Sequence, residues 1–304
     1  MKPPAAAPND RCSSLRWSAF LALPLVLLTG CLFTTRKLPT PRSPQVVQTA
    51  TGEELVEQIN KRCDALHTLV ATVEIQTSVT RQNEGIARDY TTIRGHILMR
   101  TPEKVRVLGQ VPVLGTQMFD MASDGKTFTL FIPPRSIAYT GSNAQPPKPS
   151  AGLQNLRPGL FFDAMFVRCI GPDEEYTKTA DTDTQEDPAK KHLLMIPEYI
   201  LSVMRPQPNS RELQPLRVIH IHREDLLPYQ QDLYDEHNNL ETQIVYGRYA
   251  DFGDNKFPST ITIKRPQENT QVVLTVEKVT ENMPLTDDQF QIKIPEGTKI
   301  QNVQ

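Results

Sequence analysis

The sequence predicts a mainly β (α+β) protein built as a strongly curved antiparallel sheet, or unclosed β-barrel, with an N-terminal helix and a short helical lid on the concave face. Three observations carry this expectation. Apolar residues alternate with polar ones through most of the chain after Ala71, clusters of Pro, Gly, Asn and Asp separate the alternating segments, and helical spacing is confined to two short regions. A parallel α/β fold would instead alternate strand and helix throughout.

The first residues belong to a targeting segment rather than to the fold. Lys2, Arg11 and Arg16 flank or precede the uncharged stretch Trp17–Leu28. A spanning helix needs about 20 apolar residues, so this shorter run fits the apolar region of a signal peptide. It leads into Leu28-Thr29-Gly30-Cys31, which resembles the lipobox of bacterial lipoprotein precursors. The two small residues give an intramembrane peptidase access to the bond before Cys31. Residues 1–30 are therefore expected to be removed and Cys31 to carry palmitate-like acyl chains, which contribute about 0.8 kcal/mol per buried methylene. Leu32 stands where an Asp would signal inner-membrane retention, so the expected location is the cell envelope, lipid-anchored at the outer membrane and facing the periplasm. Residues 31–50, rich in Pro, Ser and Thr, read as a flexible tether, and residues 51–304 as a single domain.

Thr51 and Glu54 match a capping box, and Leu55, Ile59, Cys63, Leu66 and Val70 recur at helical spacing on one stripe. From Val73, Ile75, Thr77 and Val79 the period changes to two, and it continues through Tyr90–Met99 and through Val105 and Val107 after the Thr101-Pro102-Glu103 turn. Met118–Met121 and Phe128–Ile132 follow, divided by Ser123-Asp124-Gly125-Lys126. Leu160–Val167 is short, strongly apolar and expected to be helical. Strands are then expected at 192–196, 200–204, 216–223, 230–234, 241–248, 259–264 and 271–280, about a dozen in all. Hydrophilic breaks are expected at 180–189 and 205–215.

Composition narrows the function. A formal net charge of −2, with 33 basic and 35 acidic side chains, supplies no concentrated basic surface, so no nucleic-acid partner is expected. There is no glycine-rich phosphate loop, nucleophile elbow, Cys-x-x-Cys pair or His-Glu-x-x-His, and neither an enzyme nor a cofactor or metal is expected. His220 and His222, two apart on one strand face with Glu224 and Asp225 nearby, are the only metal-like cluster, and solvent-facing histidines are the commoner reading of that pattern. Asp287-Asp288 reads as a polar turn or helix start. Of the four cysteines, Cys12 leaves with the leader and Cys31 is acylated, so Cys63 and Cys169 either pair or stay as separate buried thiols.

The unusual features are apolar. Gln110-Val111-Pro112-Val113-Leu114-Gly115 joins two strands with almost no polar side chains, so Val111, Val113 and Leu114 either form a membrane or partner contact, or fold under the sheet or are simply strand. Phe161, Phe162, Met165 and Phe166 crowd a short helix, as a lid over a cavity or as ordinary core. Inward alternation together with that lid nominates Val73, Ile75, Ile97, Met99, Val105, Val107, Phe161, Phe162 and Met165 as cavity lining.

The run Gly95-His96-Ile97-Leu98-Met99-Arg100-Thr101-Pro102-Glu103-Lys104-Val105-Arg106, then Pro112, then Ser123-Asp124-Gly125-Lys126-Thr127-Phe128 and Pro133-Pro134, resembles the LolA/LolB superfamily of lipoprotein carriers and receptors. The amphipathic helix before it, residues 52–68, is similar too, and a lipobox brings the chain closer in kind to the anchored receptor LolB. The resemblance spans about residues 52–170. It implies an unclosed barrel, an apolar cavity for the acyl chains of lipids or lipoproteins, and a periplasmic carrier protein as a further partner. It also implies that Val113 and Leu114 occupy the loop from which the receptors project an apolar residue. The competing expectation is an envelope regulatory or assembly lipoprotein that uses the same fold as a protein scaffold.

Overall fold

A computed structural model describes residues 46–81, 86–143, 157–187, 192–253 and 255–303. The leader, Cys31 and most of the expected tether lie outside the described residues. Apart from 186–187 and 192–194, the described residues form one compact unit.

Helix α1 spans Gly52–Ala65 and starts where the capping box places it. The Thr51 side chain accepts from the Glu54 amide while the Glu54 carboxylate accepts from the Thr51 amide, so two orphan donors are satisfied reciprocally. Its buried residues are Leu55, Ile59 and Cys63, and it ends at Ala65, three residues before the expected limit, because Leu66 is already extended. Helix α2 spans Pro158–Met165. Pro158 enters at the first turn, where a missing N–H costs nothing, and Leu160, Phe161, Phe162, Ala164 and Met165 are all buried.

The first half of the sheet comprises β1 (Thr68–Arg81), β2 (Ile86–Asp89), β3 (Ile93–Arg100), β4 (Lys104–Gln110), β5 (Gln117–Ser123), β6 (Thr127–Ile132) and β7 (Ile137–Ser142). The second half comprises β8 (Glu175–Asp187), β9 (His192–Pro206), β10 (Leu213–His222), β11 (Pro228–Tyr234), β12 (Leu240–Tyr246), β15 (Thr260–Arg265) and β16 (Thr270–Glu281). β13 (Tyr249–Phe252) and β14 (Asn255–Pro258) form a separate hairpin, and β17 (Lys299–Val303) closes the list. The main sheet runs β17-β7-β6-β5-β4-β3-β1-β16-β15-β12-β11-β10-β9-β8, with β2 paired to β1. β1 joins the two halves, pairing with β3 on one side and β16 on the other. The edge strands β17 and β8 do not meet, so the curved sheet is not closed into a barrel.

Several sequence expectations need correction. Tyr90 is not in the strand that starts at Ile93, and the two segments at 192–196 and 200–204 are one continuous strand, β9. The hydrophilic stretch beginning at 180 is not a break, because β8 runs through it to Asp187. Thr and Asp alternate there on a strand that buries neither face at Thr179–Thr182, so no apolar period marks it. The sheet is also not wholly antiparallel. β17 pairs in parallel with β7, after a C-terminal strap pinned by Arg106, whose guanidinium donates to the Gln289 carbonyl.

Apolar side chains gather in two clusters. The larger one joins the inner faces of β1, β3–β6, β12, β15 and β16 to α2, and the smaller one sets Leu55 and Ile59 of α1 against Tyr199, Leu201, Val203, Ile219 and Ile221. Cys63 and Cys169 are disulfide-bonded with Cα atoms 5.4 Å apart, which decides the choice the sequence left open. The bond ties the end of α1 to the segment after α2. Residues 48–50 are also held: the Gln48 amide donates to the Arg223 carbonyl at 2.7 Å, and the Ala50 amide to the Tyr199 hydroxyl at 3.2 Å. Among the described residues no helix is long and apolar enough to cross a membrane.

Candidate functional site

The β4–β5 connection is a short, well-formed turn that stands out from the sheet. The Val111 amide donates to the Thr116 carbonyl at 2.8 Å and the Gly115 amide to the Val111 carbonyl at 3.0 Å, which fixes a loop whose tip is Val113 and Leu114. Val113 is 105 % and Leu114 77 % exposed, so the loop does not fold under the sheet. Val113 also holds φ at 69°, a left-handed conformation that a β-branched residue adopts only under strain. A strained backbone that presents two apolar side chains to solvent gains nothing for folding, and such outliers concentrate where a surface has another use.

An apolar pocket of about 340 Å³ opens beside this loop. Val111 belongs to both. The pocket wall is made by Ile75 and Ile93 from β1 and β3, Phe119 and Met121 from β5, and Leu130 and Ile132 from β6, with Phe161 of α2 inside. Tyr90 and Met118, each 36 % exposed, lie at its rim, and Arg135 is the charged residue in its lining among the described ones. Gly109 lets this wall form. It is paired with Phe119 across β4 and β5, and a Cβ at position 109 would run into the Phe119 ring, so only glycine lets that ring lie across the sheet. Ligand pockets typically measure about 300–1,000 Å³ and are mostly apolar, and this one lies within that range.

The nominated cavity residues divide among different places. Ile75 and Phe161 line the tip pocket, whereas Met165 lines a second apolar pocket under α1. Phe162 lines a smaller, more polar pocket with Arg157, Arg168 and Arg265. Val73, Ile97, Met99, Val105 and Val107 are at most 3 % exposed and line none of these, so they sit in packed core. Met118, Phe119, Leu130 and Ile132 were missed. Their strands were expected at Met118–Met121 and Phe128–Ile132, but a strand pattern does not say which positions face a void.

Several solved structures match the chain at low identity. A LolA superfamily protein from Nitrosomonas europaea matches with a TM-score of 0.48 and 13 % identity, over 80 % of this chain and 99 % of that one. A putative outer membrane lipoprotein-sorting protein domain from Vibrio parahaemolyticus matches at 0.48 and 11 %, over 79 % and 97 %. A DUF1329 family protein from Desulfovibrio piger matches at 0.48 and 13 %, over 79 % and 95 %. No protein-family model matches the chain, and no curated protein matches it.

The polar clusters have structural partners. His220 and His222 both point away from the core, since Ile219 and Ile221 are the buried members of β10. His220 Nδ1 lies 2.8 Å from Glu198 Oε2, the Tyr229 hydroxyl donates to the same oxygen at 2.6 Å, and His220 Nε2 lies 3.7 Å from Asp232. Burial alone would lower the imidazole pKa, but its bonds to Asp232 and Glu198 outweigh that and raise it. His222 instead stacks on the Tyr229 ring at 4.1 Å, and burial lowers its pKa. The two imidazoles thus serve different neighbours. Asp287 opens a 3-10 turn and receives Lys104 Nζ at 2.8 Å as well as Arg100, which hold its pKa down at about 2.

Proposed function

We propose that this chain is a cell-envelope lipoprotein, anchored through acylated Cys31, that takes acyl chains of lipids or lipoproteins into the tip pocket and delivers them toward the outer membrane. The observation that carries this reading is the adjoining of an apolar pocket of about 340 Å³ and an exposed apolar loop tip through Val111. Scaled from the roughly 150 Å³ cavity that admits benzene, the pocket has room for a chain of about a dozen carbons. Each methylene moved out of water contributes about 0.8 kcal/mol. A lipid bilayer offers the same gain, so transfer runs on small differences between hosts, and no bond is made or broken. Val113 and Leu114 then act as the part that enters the membrane and brings the pocket mouth to it.

The test is Leu114→Glu. The side chain is exposed and makes no core contact, so stability should stay within the range of surface substitutions, about 0.5 kcal/mol. Delivery of an acylated cargo to liposomes should fall by about tenfold or more, because one inserted leucine contributes roughly 1.5–3 kcal/mol. Delivery at the wild-type rate would refute the role of the loop. Native mass spectra should show bound acyl chains, and a chain that stays empty while retaining a periplasmic protein would point to scaffolding instead.

A further inference from the structure

The polar pocket beside Phe162 is a cavity of about 220 Å³ that shares no lining residue with the tip pocket or with the pocket under α1. α2 enters it through Gly159, Leu160 and Phe162, and β11, β12 and β15 supply Leu233, Thr242 and Arg265. Buried polar side-chain atoms in a folded protein almost always have a hydrogen-bond partner. Among the described residues three do not, and two of the three, Asn143 Oδ1 and Arg265 Nε, belong to residues that line this one cavity. Their senses are fixed and opposite. The Ser123 hydroxyl donates its proton to the Thr127 carbonyl at 2.9 Å, so toward Asn143 it can only accept, and it takes Asn143 Nδ2 at 2.7 Å. Asn143 is therefore left with an acceptor and Arg265 with a donor.

The charges of the lining balance in number without all being paired. Arg157, Arg168 and Arg265 face Glu103, Asp163 and Glu241. Arg265 holds Glu241 at 3.1 Å and, outside the lining, Glu268 at 2.8 Å, while Arg168 holds Asp163 at 2.6 Å. Arg157 is only 9 % exposed, yet it meets the Ser142 and Asn143 carbonyls and the Phe128 ring and forms no ion pair among the described residues. Burial and then the like charge of Arg265 lower its pKa, as for a cation short of an anion. Glu103 is the complementary case, since its ion pair among the described residues is a loose one with Arg168 at 3.7 Å. A lone anion would answer Arg157 and leave Asn143 Oδ1 bare, and a lone cation would do the reverse. We propose that this cavity binds a small zwitterion of the α-amino acid type, its carboxylate on Arg157 and Arg265 Nε and its ammonium on Asn143 Oδ1 and Glu103. Scaled from the roughly 150 Å³ cavity that admits benzene, the space holds about nine non-hydrogen atoms, the size of leucine. Leu160, Phe162 and Leu233 give its side chain an apolar wall.

The probes are L-leucine, isocaproate, which lacks the ammonium, and isoamylamine, which lacks the carboxylate, each titrated calorimetrically into the dialysed full chain. One leucine should bind. Each truncated probe should bind about tenfold or more weakly, because it loses the charge-assisted bonds of one end. Glu103→Gln should weaken leucine about threefold or more and leave isocaproate unchanged. Gly159→Leu fills the cavity, and a Cβ at position 159 meets no atom within 4 Å, so the larger side chain has open space to enter. Its urea midpoint should stay at or above that of wild type, since glycine is a poor helix residue, and leucine binding should be lost. Absence of leucine binding in wild type, isocaproate binding as tightly as leucine, or unchanged leucine affinity in folded Gly159→Leu would each overturn the proposal. None of these results touches the liposome-delivery test of Leu114, so the two readings fail separately.

Discussion

Replacing Cys63 and Cys169 together by alanine removes the covalent tie between α1 and the segment after α2. The bond closes a loop with a sequence separation of 106 residues. On the chain-entropy account, a cross-link over about 100 residues removes roughly 4.7 kcal/mol of freedom from the unfolded chain. For a domain of this size each kcal/mol moves the thermal midpoint by about 2–4 °C, so a fall of roughly 10–19 °C is expected. The Asn60–Ile170 hydrogen bonds beside the bond stay in place, and the buried Cys63 side chain loses some packing in the larger apolar cluster, so the unfolded-state loss is accompanied by a smaller native-state one. The assay is calorimetry and urea unfolding of wild type, wild type with reductant, and the double variant, with free thiols counted under denaturing conditions. The last two samples should agree with each other. A difference from wild type below about 1 kcal/mol, or two titratable thiols in the oxidised protein, would refute the reasoning.

Two further outcomes follow from named contacts. His220 has its pKa raised above the unfolded value of 6.5, so its contribution is fully present below that value and is lost as pH rises through the folded value. Urea midpoints measured at about pH 6 and about pH 9 should therefore drop more in wild type than in His220→Gln, and equal slopes would remove the charged pairing with Glu198 and Asp232. Arg106 grips Asp120 through two hydrogen bonds at 2.7 and 3.0 Å, and the Asp120 side chain is only 5 % exposed. Arg106→Leu should cost about 3–5 kcal/mol by leaving that carboxylate without its cation, and Arg106→Leu combined with Asp120→Leu should recover much of the loss in a double-mutant cycle.

Much of the fold was legible in local pattern. The Thr51–Glu54 box placed the start of α1 to the residue, and the alternation Val73, Ile75, Ile97, Met99, Val105 and Val107 identified inner-face positions that are all buried. The cluster of Phe161, Phe162 and Met165 located the second helix, although Pro158 starts it earlier than the apolar run suggested. These features depend on the covalent chain and on a repeat of two or of three to four residues, so neighbouring residues suffice to reveal them. β8 and β17 escaped because strands exposed on both faces, or laid on an edge, carry no apolar alternation.

The sequence by itself determined which residues are apolar, where strands and helices can start, and that Cys63 and Cys169 are the two cysteines after residue 50. Tertiary structure alone decided that those two cysteines meet, that His220 sits between two carboxylates while His222 stacks on a ring, and that Val113 and Leu114 face solvent. It also decided which inward side chains pack and which border a pocket. Those outcomes depend on distances between residues far apart in the chain, and a period of two records that a side chain points inward without recording whether anything fills the space in front of it.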